Sequence, residues 1–139
     1  EVRTSVARAV LPATIAYDVA VNAAGRAAAF IAGLQTADAA ILAPALDDVL
    51  HVPFRRSLIG GYDVVTTAAI EAGAIGATLS GSGSAIVAVA RRDVAEKVRD
   101  AARHAWRSAG VIADAFVTAA EPRGATIGAA QLYNERVRT

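Results

Sequence analysis

The sequence predicts an α+β domain in which an antiparallel sheet is flanked by helices. Three observations carry that prediction. Apolar residues recur at intervals of three and four through much of the first half, the period of a helix packed on one side. Two short apolar runs, the second rich in β-branched residues, flank the glycine-containing stretch Ser80-Gly81-Ser82-Gly83-Ser84, which reads as strand, loop, strand. Residues 111–120 then show a two-residue period, with Val111, Ala113, Ala115, Val117 and Ala119 as a consistently apolar face, the pattern of a half-buried strand.

The elements follow in order. Thr4 opens a short helix through Arg8 that closes at Leu11-Pro12, because a proline disfavours helix in the residue before it. From Thr14 the positions Ile15, Val19, Ala23, Ala27, Phe30, Ile31 and Leu34 line one face of the longest helix. Thr36 can cap a further helix, which Pro44 either kinks or restarts through Leu46, Asp47 and Leu50. His51 to Ser57 is read as a loop whose path Pro53 and Phe54 fix, and Gly60-Gly61 as a turn. A helix over Tyr62 to Ala72 is closed by Gly73 in the left-handed conformation. The strands are expected at Ala77–Ser80 and Ala85–Ala90. Asp93 caps a helix carrying Val94, Val98, Ala102, Ala105 and Trp106 on one face, which Gly110 closes. The alternating strand follows, then the turn Glu121-Pro122-Arg123-Gly124, a brief strand at Ala125 to Ile127 and a polar tail. Trp106 and Phe116 are expected in the core. Three strands and one short one make a narrow sheet, so a further strand is expected ahead of Glu1.

Composition bounds the function classes. Of 139 residues 55% are apolar and 19% charged, which argues for one folded domain with a sizeable core. Fourteen basic side chains against thirteen acidic, scattered along the chain, give no electrostatic footprint for nucleic acid. Without cysteine there is no disulfide or thiolate metal site, and two separated histidines build no zinc centre alone. The longest uncharged stretch, Ala72 to Ala90, is broken by four glycines and by hydroxyl side chains, so no membrane helix is expected. Glu1-Val2-Arg3-Thr4 lacks the apolar core of a signal peptide, and the reading is a cytoplasmic protein.

The glycine loop is the strongest local signal for chemistry. Glycines one residue apart let the backbone approach a ligand, with Ser80, Ser82 and successive N–H groups around one concavity suited to an anion. An ordinary hairpin turn of small residues fits these five positions equally well. A nucleotide P-loop needs Gly-Lys-Ser/Thr, and a dinucleotide fingerprint needs a helix straight after the loop; neither is present. Arg8 and Arg55 are candidates because a guanidinium grips a carboxylate or phosphate with two parallel hydrogen bonds, although an isolated arginine is most often a solvated surface group. Arg55 lies in His51-Val52-Pro53-Phe54-Arg55-Arg56, where Pro53 and Phe54 bring a charge beside apolar surface. His51 can hydrogen-bond a carboxylate, most simply as a structural donor. Asp47-Asp48 looks like a metal pair, but neighbours on a helix point about 100° apart, which favours solvated charge.

Taken together, Thr4-Ser5-Val6-Ala7-Arg8-Ala9-Val10-Leu11-Pro12, His51-Val52-Pro53-Phe54-Arg55-Arg56-Ser57-Leu58-Ile59 and Gly76-Ala77-Thr78-Leu79-Ser80-Gly81-Ser82-Gly83 resemble the C-terminal half of the homoserine kinases, in the GHMP family of small-molecule kinases. The resemblance extends over almost the whole chain, including Gly25-Arg26 and the turn Pro122-Arg123-Gly124-Ala125. It implies a ferredoxin-like C-terminal domain over residues 1–139, without its first strand and without the N-terminal ATP-binding domain. It implies ATP-dependent phosphorylation of L-homoserine to O-phospho-L-homoserine, in threonine biosynthesis. Arg8 and Arg55 would clamp the substrate α-carboxylate, Gly81 would lie against the bound amino acid, and Thr4 would sit catalytically near the accepting hydroxyl. Ser80, Gly81, Ser82 and Gly83 would steady the nucleotide-binding loop. ATP and Mg2+ would be held mainly by the absent N-terminal half, so the isolated chain is expected to be inactive, with no metal site of its own. A homodimer is expected. Two positions depart from the family pattern: Ser84 stands where proline is usual, and Gly60 where proline is common after Leu58-Ile59. Two alternatives stay open: another GHMP kinase acting on a different alcohol, and a non-catalytic amino-acid-binding or assembly module.

Overall fold

A computed structural model describes residues 2–120. Six helices and one hairpin follow in the order α1 (Thr4–Ala9), α2 (Tyr17–Thr36), α3 (Ala39–Ala45), α4 (Val52–Arg55), a 3-10 turn (Arg56–Leu58), α5 (Tyr62–Glu71), β1 (Ala74–Leu79), β2 (Ile86–Ala90) and α6 (Ala95–Ser108). The expected α+β architecture is present, with a narrower sheet among the described residues.

The two strands pair antiparallel, with Leu79 opposite Ile86 and Ala74 opposite Ala90. A register shift between Ala74 and Gly76 marks a bulge. Strand β1 starts at Ala74, three residues before the expected Ala77, because the small residues there pack against the α5–α6 layer. The core sits between these helices and the hairpin. Ile59, Tyr62, Val65, Leu79, Ala105 and Trp106 form its larger cluster, and Ala69, Ala72, Ala74 and Val98 a second one. Alanine dominates the second cluster because helix and sheet approach closely there, leaving no room for longer side chains.

Helix α2 turns a different face inward from the one expected. Val19, Ala23, Arg26, Phe30 and Gly33 face the rest of the chain, while Ile15, Ile31 and Leu34 are each about half exposed. The inward row ends on Gly33, where a Cβ would lie 2.7 Å from Leu42 Cγ, so the absence of a side chain lets α3 pack against α2. Arg26 completes that junction. Its Nη1 donates to the carbonyls of Pro44 and Asp47 at 2.6 and 2.9 Å and pairs with the Asp47 carboxylate at 2.8 Å, closing the C-terminal end of α3.

Several boundaries depart from expectation for local reasons. Asp38, not Thr36, caps α3 by accepting from the Ala40 N–H at 2.8 Å; Thr36 is the last residue of α2 and donates back to the Ala32 carbonyl. Pro44 does not restart a helix through Leu50 but lies within α3, one residue before its end. Asp93 makes no capping bond, and Val94 occupies the N-cap of α6. The segment read as a loop at His51–Ser57 is helix α4 and the 3-10 turn.

The largest difference lies at residues 111–120, which form no strand. Alternation prescribes which side chains can share a face, but a strand also needs a hydrogen-bonding neighbour, and none of the described residues provides one. Ala113 still packs against the larger core cluster, whereas Phe116, expected in the core, is 83% exposed. Val2, β2 and residues 111–118 contribute to the lining of one groove of about 760 Å³. The strand expected at Ala125 to Ile127 and the polar tail lie outside the described residues.

Candidate functional site

Arg55 is the candidate residue that links helix α1 to the glycine loop. Helix α4 is a single turn, too short to hold itself, and its beginning is fixed by the carbonyl of His51, which accepts from the N–H groups of Phe54 at 3.1 Å and Arg55 at 2.9 Å. This turn carries Arg55 inward until only 9% of the residue is exposed. A charge is tolerated at that depth only when its donors are satisfied. Arg55 Nε donates to the Ala7 carbonyl at 2.9 Å, and Nη1 donates to the Gly81 carbonyl at 3.3 Å. One guanidinium thus ties α1 to the glycine loop across 48 and 26 residues of sequence. The Ala7 carbonyl belongs to the last turn of α1, where helix carbonyls lack internal partners and a cation is favoured.

Thr4 and Arg8 stand four residues apart on α1 and therefore share one side of it. Both are exposed, in contrast to Ala7, which is fully buried beneath them. The structure therefore brings α1, Arg55 and Gly81 together. It gives Arg55 two backbone partners that the sequence reading did not foresee.

The glycine loop closes the β1–β2 hairpin. The Ser80 N–H donates to the Ala85 carbonyl at 2.9 Å and the Gly83 N–H to the Ser80 carbonyl at 3.4 Å. Gly81 has φ +65° with nothing near its missing Cβ, so glycine is required there by backbone conformation alone. Gly83 has φ +87°, and a Cβ there would sit 2.7 Å from Ile59 Cδ1. The loop is followed by strand β2, as expected, and not by a helix N-terminus. Ser82 Oγ lies 3.5 Å from the Gly83 carbonyl, and Ser80 is exposed.

Two carboxylates set aside as solvated charge have defined partners. Asp47 pairs with Arg26. Asp48 Oδ1 accepts from the Leu50 and His51 N–H groups at 2.7 and 2.8 Å, and its Oδ2 pairs with His51 Nδ1 at 3.1 Å. The spacing Asp-x-x-His ahead of a proline was the available signal, since an aspartate oxygen readily accepts from the backbone two and three residues on. Nearby Tyr62 is buried, and that burial is the main reason its hydroxyl ionises above the ordinary tyrosine range. Thr78 is the main opposing influence, the negative charges of Asp48 and Asp63 add to the rise, and Arg56 opposes it. Thr78 Oγ1 itself is buried without a partner at hydrogen-bond geometry among the described residues.

No group of three or more His, Asp or Glu among the described residues could hold a metal ion, and both aspartates discussed above are engaged elsewhere. The glycine loop contains no lysine and leads into strand β2. No helix among the described residues is long and apolar enough to cross a membrane.

Known proteins give this geometry a family. The family described as GHMP kinases C terminal matches residues 19–108, well over half of the chain. Homoserine kinase of Picosynechococcus sp. is 42% identical over 127 residues, covering 91% of this chain and 42% of that protein. Homoserine kinase of Gloeobacter violaceus is 45% identical over 106 residues, covering 76% of this chain and 36% of the relative. Among solved structures, homoserine kinase from Cytophaga hutchinsonii superposes with a TM-score of 0.72 at 36% identity, covering 78% of this chain and 35% of that one. The chain thus spans about two fifths of the length of the curated relatives it matches. A matching family domain, and similar sequence and backbone over most of its length, establish that the chain belongs to the GHMP kinase family through that family's C-terminal domain.

Proposed function

We propose that the chain is the substrate-binding part of a cytoplasmic, ATP-dependent homoserine kinase, the enzyme that forms O-phospho-L-homoserine for threonine biosynthesis. The observation that carries this reading is Arg55, a buried guanidinium that joins α1 to Gly81 and still has N–H groups to offer. With Arg8 on the same short helix that Arg55 grips, two cations are available for one α-carboxylate. Gly81 leaves open space on which the amino acid can rest, and Thr4, one turn from Arg8, orients the side-chain hydroxyl that accepts the phosphoryl group. In phosphoryl transfer the protein contributes mainly position and charge, so holding the substrate by its carboxylate fixes where its hydroxyl points. Ser80, Ser82 and Gly83 keep the hairpin loop in shape behind the substrate.

ATP and Mg2+ are assigned to an N-terminal kinase half, and residues 1–139 to a single C-terminal domain. Turnover is then expected only when both halves are present. A homodimer is part of the same reading, with Ile112 and Phe116 as exposed apolar side chains available to it.

Calorimetric titration of L-homoserine, then of MgATP, into the 139-residue chain tests the proposal. Homoserine binding that weakens about ten- to a hundredfold in Arg8→Ala and in Arg55→Ala, with no binding of MgATP, is expected from the loss of one charge-assisted contact. Homoserine binding indifferent to both substitutions would favour a GHMP kinase with another alcohol substrate, and ATP-dependent turnover by this chain alone would overturn the division of labour.

A further inference from the structure

Arg55 can act in recognition only if its one-turn helix holds it inward, and that helix has little to stabilise it. Four residues make too few internal hydrogen bonds to offset the backbone entropy of ordering them. The side chain of the N-cap residue, His51, accepts no hydrogen bond from the first turn. What fixes His51 lies one turn earlier. Asp48 Oδ1 gathers the N–H groups of Leu50 and His51, Oδ2 pairs with the His51 ring, and the His51 carbonyl then accepts from the N–H of Arg55 itself. The chain of contacts runs without a break from Asp48 through His51 to Arg55, and from its guanidinium to Ala7 in α1 and Gly81 in the loop.

We propose that Asp48 and His51 are positioning residues for Arg55, a turn-and-ring brace that sets the direction from which the guanidinium reaches the substrate carboxylate. This rests on the reading of Arg55 as a carboxylate ligand. The side chains of Asp48 and His51 remain 28% and 44% exposed, so the brace lies at the edge of the core and not within it. Its removal therefore loosens Arg55 without dismantling the packing around Val65 and Trp106. The side-chain acceptor for the backbone N–H groups matters most: asparagine at position 48 keeps an oxygen for both and an amide to face the ring, whereas alanine supplies none of the three contacts.

Nuclear magnetic resonance of the 139-residue chain reads this without substrate, through exchange of the Arg55 Nε proton with water. Exchange in Asp48→Ala is expected to rise about tenfold or more, the scale of a lost helix cap. Asp48→Asn should restore values near those of the starting chain, and His51→Ala should fall between them. Trp106 fluorescence should show the core intact in all three. Unchanged Arg55 exchange in both alanine variants overturns the proposal; should Asp48→Ala fail to fold, His51→Ala, which keeps the Asp48 turn, decides it alone. Homoserine affinity of the same proteins is a separate readout. Its absence in the starting chain would count against the carboxylate reading while leaving the exchange result to judge the brace.

Discussion

Replacing Arg55 with alanine removes a side chain that hydrogen-bonds both α1 and the glycine loop, and the structure sets the size of the effect. The Ala7 contact, at 2.9 Å from a charged donor, falls in the class worth about 1.5–3 kcal/mol. The Gly81 contact, at 3.3 Å, is longer and contributes a fraction of that. Against these gains, Gly81 is exposed, so water can replace its lost contact, whereas Ala7 is fully buried, and a buried cation that needs satisfying disappears with the substitution. The balance is about 2 kcal/mol of destabilisation. For a domain of this length that corresponds to a fall in Tm of about 6–10 °C. Trp106, the only tryptophan and a core residue, reports unfolding directly by fluorescence. Arg55→Lys should recover less than half, because an ammonium lacks the fork that meets two carbonyls in different directions. A Tm within about 2 °C of the starting protein for Arg55→Ala would show that the bracket carries no weight, and the ordering of α1 and the loop would need another cause.

Further outcomes follow from the same geometry. Gly83→Ala must accept φ +87° and a contact of 2.7 Å with Ile59, so it should lose about 1–3 kcal/mol; Gly81→Ala meets only its positive φ and should lose about 1 kcal/mol, a difference that urea midpoints resolve. The raised Tyr62 pKa stabilises the fold fully below the ordinary tyrosine value near 10. Above it the unfolded chain gives up the proton first, so stability falls as pH rises towards the folded-state value; Tyr62→Phe should flatten this part of a Tm profile taken from pH 9 upward, and identical slopes would refute it. Arg26→Ala should uncouple α2 from α3 and lower stability by about 1 kcal/mol, seen as faster amide exchange at Leu46 and Asp47 with little change in α6. Sedimentation at rising concentration should show self-association that Phe116→Ser weakens, and a monomer throughout would remove the homodimer from the account.

The elements legible in the sequence are those whose stability is local or whose pattern is amphipathic. Helix α6 declares itself through Val98, Ala105 and Trp106, and the hairpin through its glycine loop and the β-branched residues of β2. Residues 111–120 carry the alternation of a strand, yet that pattern encodes only the two faces; the ladder depends on a neighbour, and no short stretch of sequence states whether one is present. Helix α2 was placed correctly but rotated, because alanine on several sides blurs the apolar face and a glycine, Gly33, marks the true contact. Thr4, Arg8, Arg55 and the Ser80–Gly83 loop stand out in the sequence as candidates because their motifs are distinctive in combination, and among them the structure joins Arg55 to Gly81. What stayed hidden were the partners of Arg55, since backbone carbonyls such as those of Ala7 and Gly81 carry no side-chain signature. Asp48 was passed over for a related reason: beside Asp47 it resembles simple surface charge until the turn it makes with His51 is seen.

The central claim is that this domain recognises a carboxylate through Arg8 and Arg55. Its most direct measurement follows the two arginine Nε–H resonances as L-homoserine is added, then repeats the titration with 3-aminopropan-1-ol, which has the same amine and hydroxyl but no carboxylate. Shifts of both signals with homoserine and of neither with the amino alcohol are the predicted result. Equal shifts with both compounds, or none with homoserine, would contradict it.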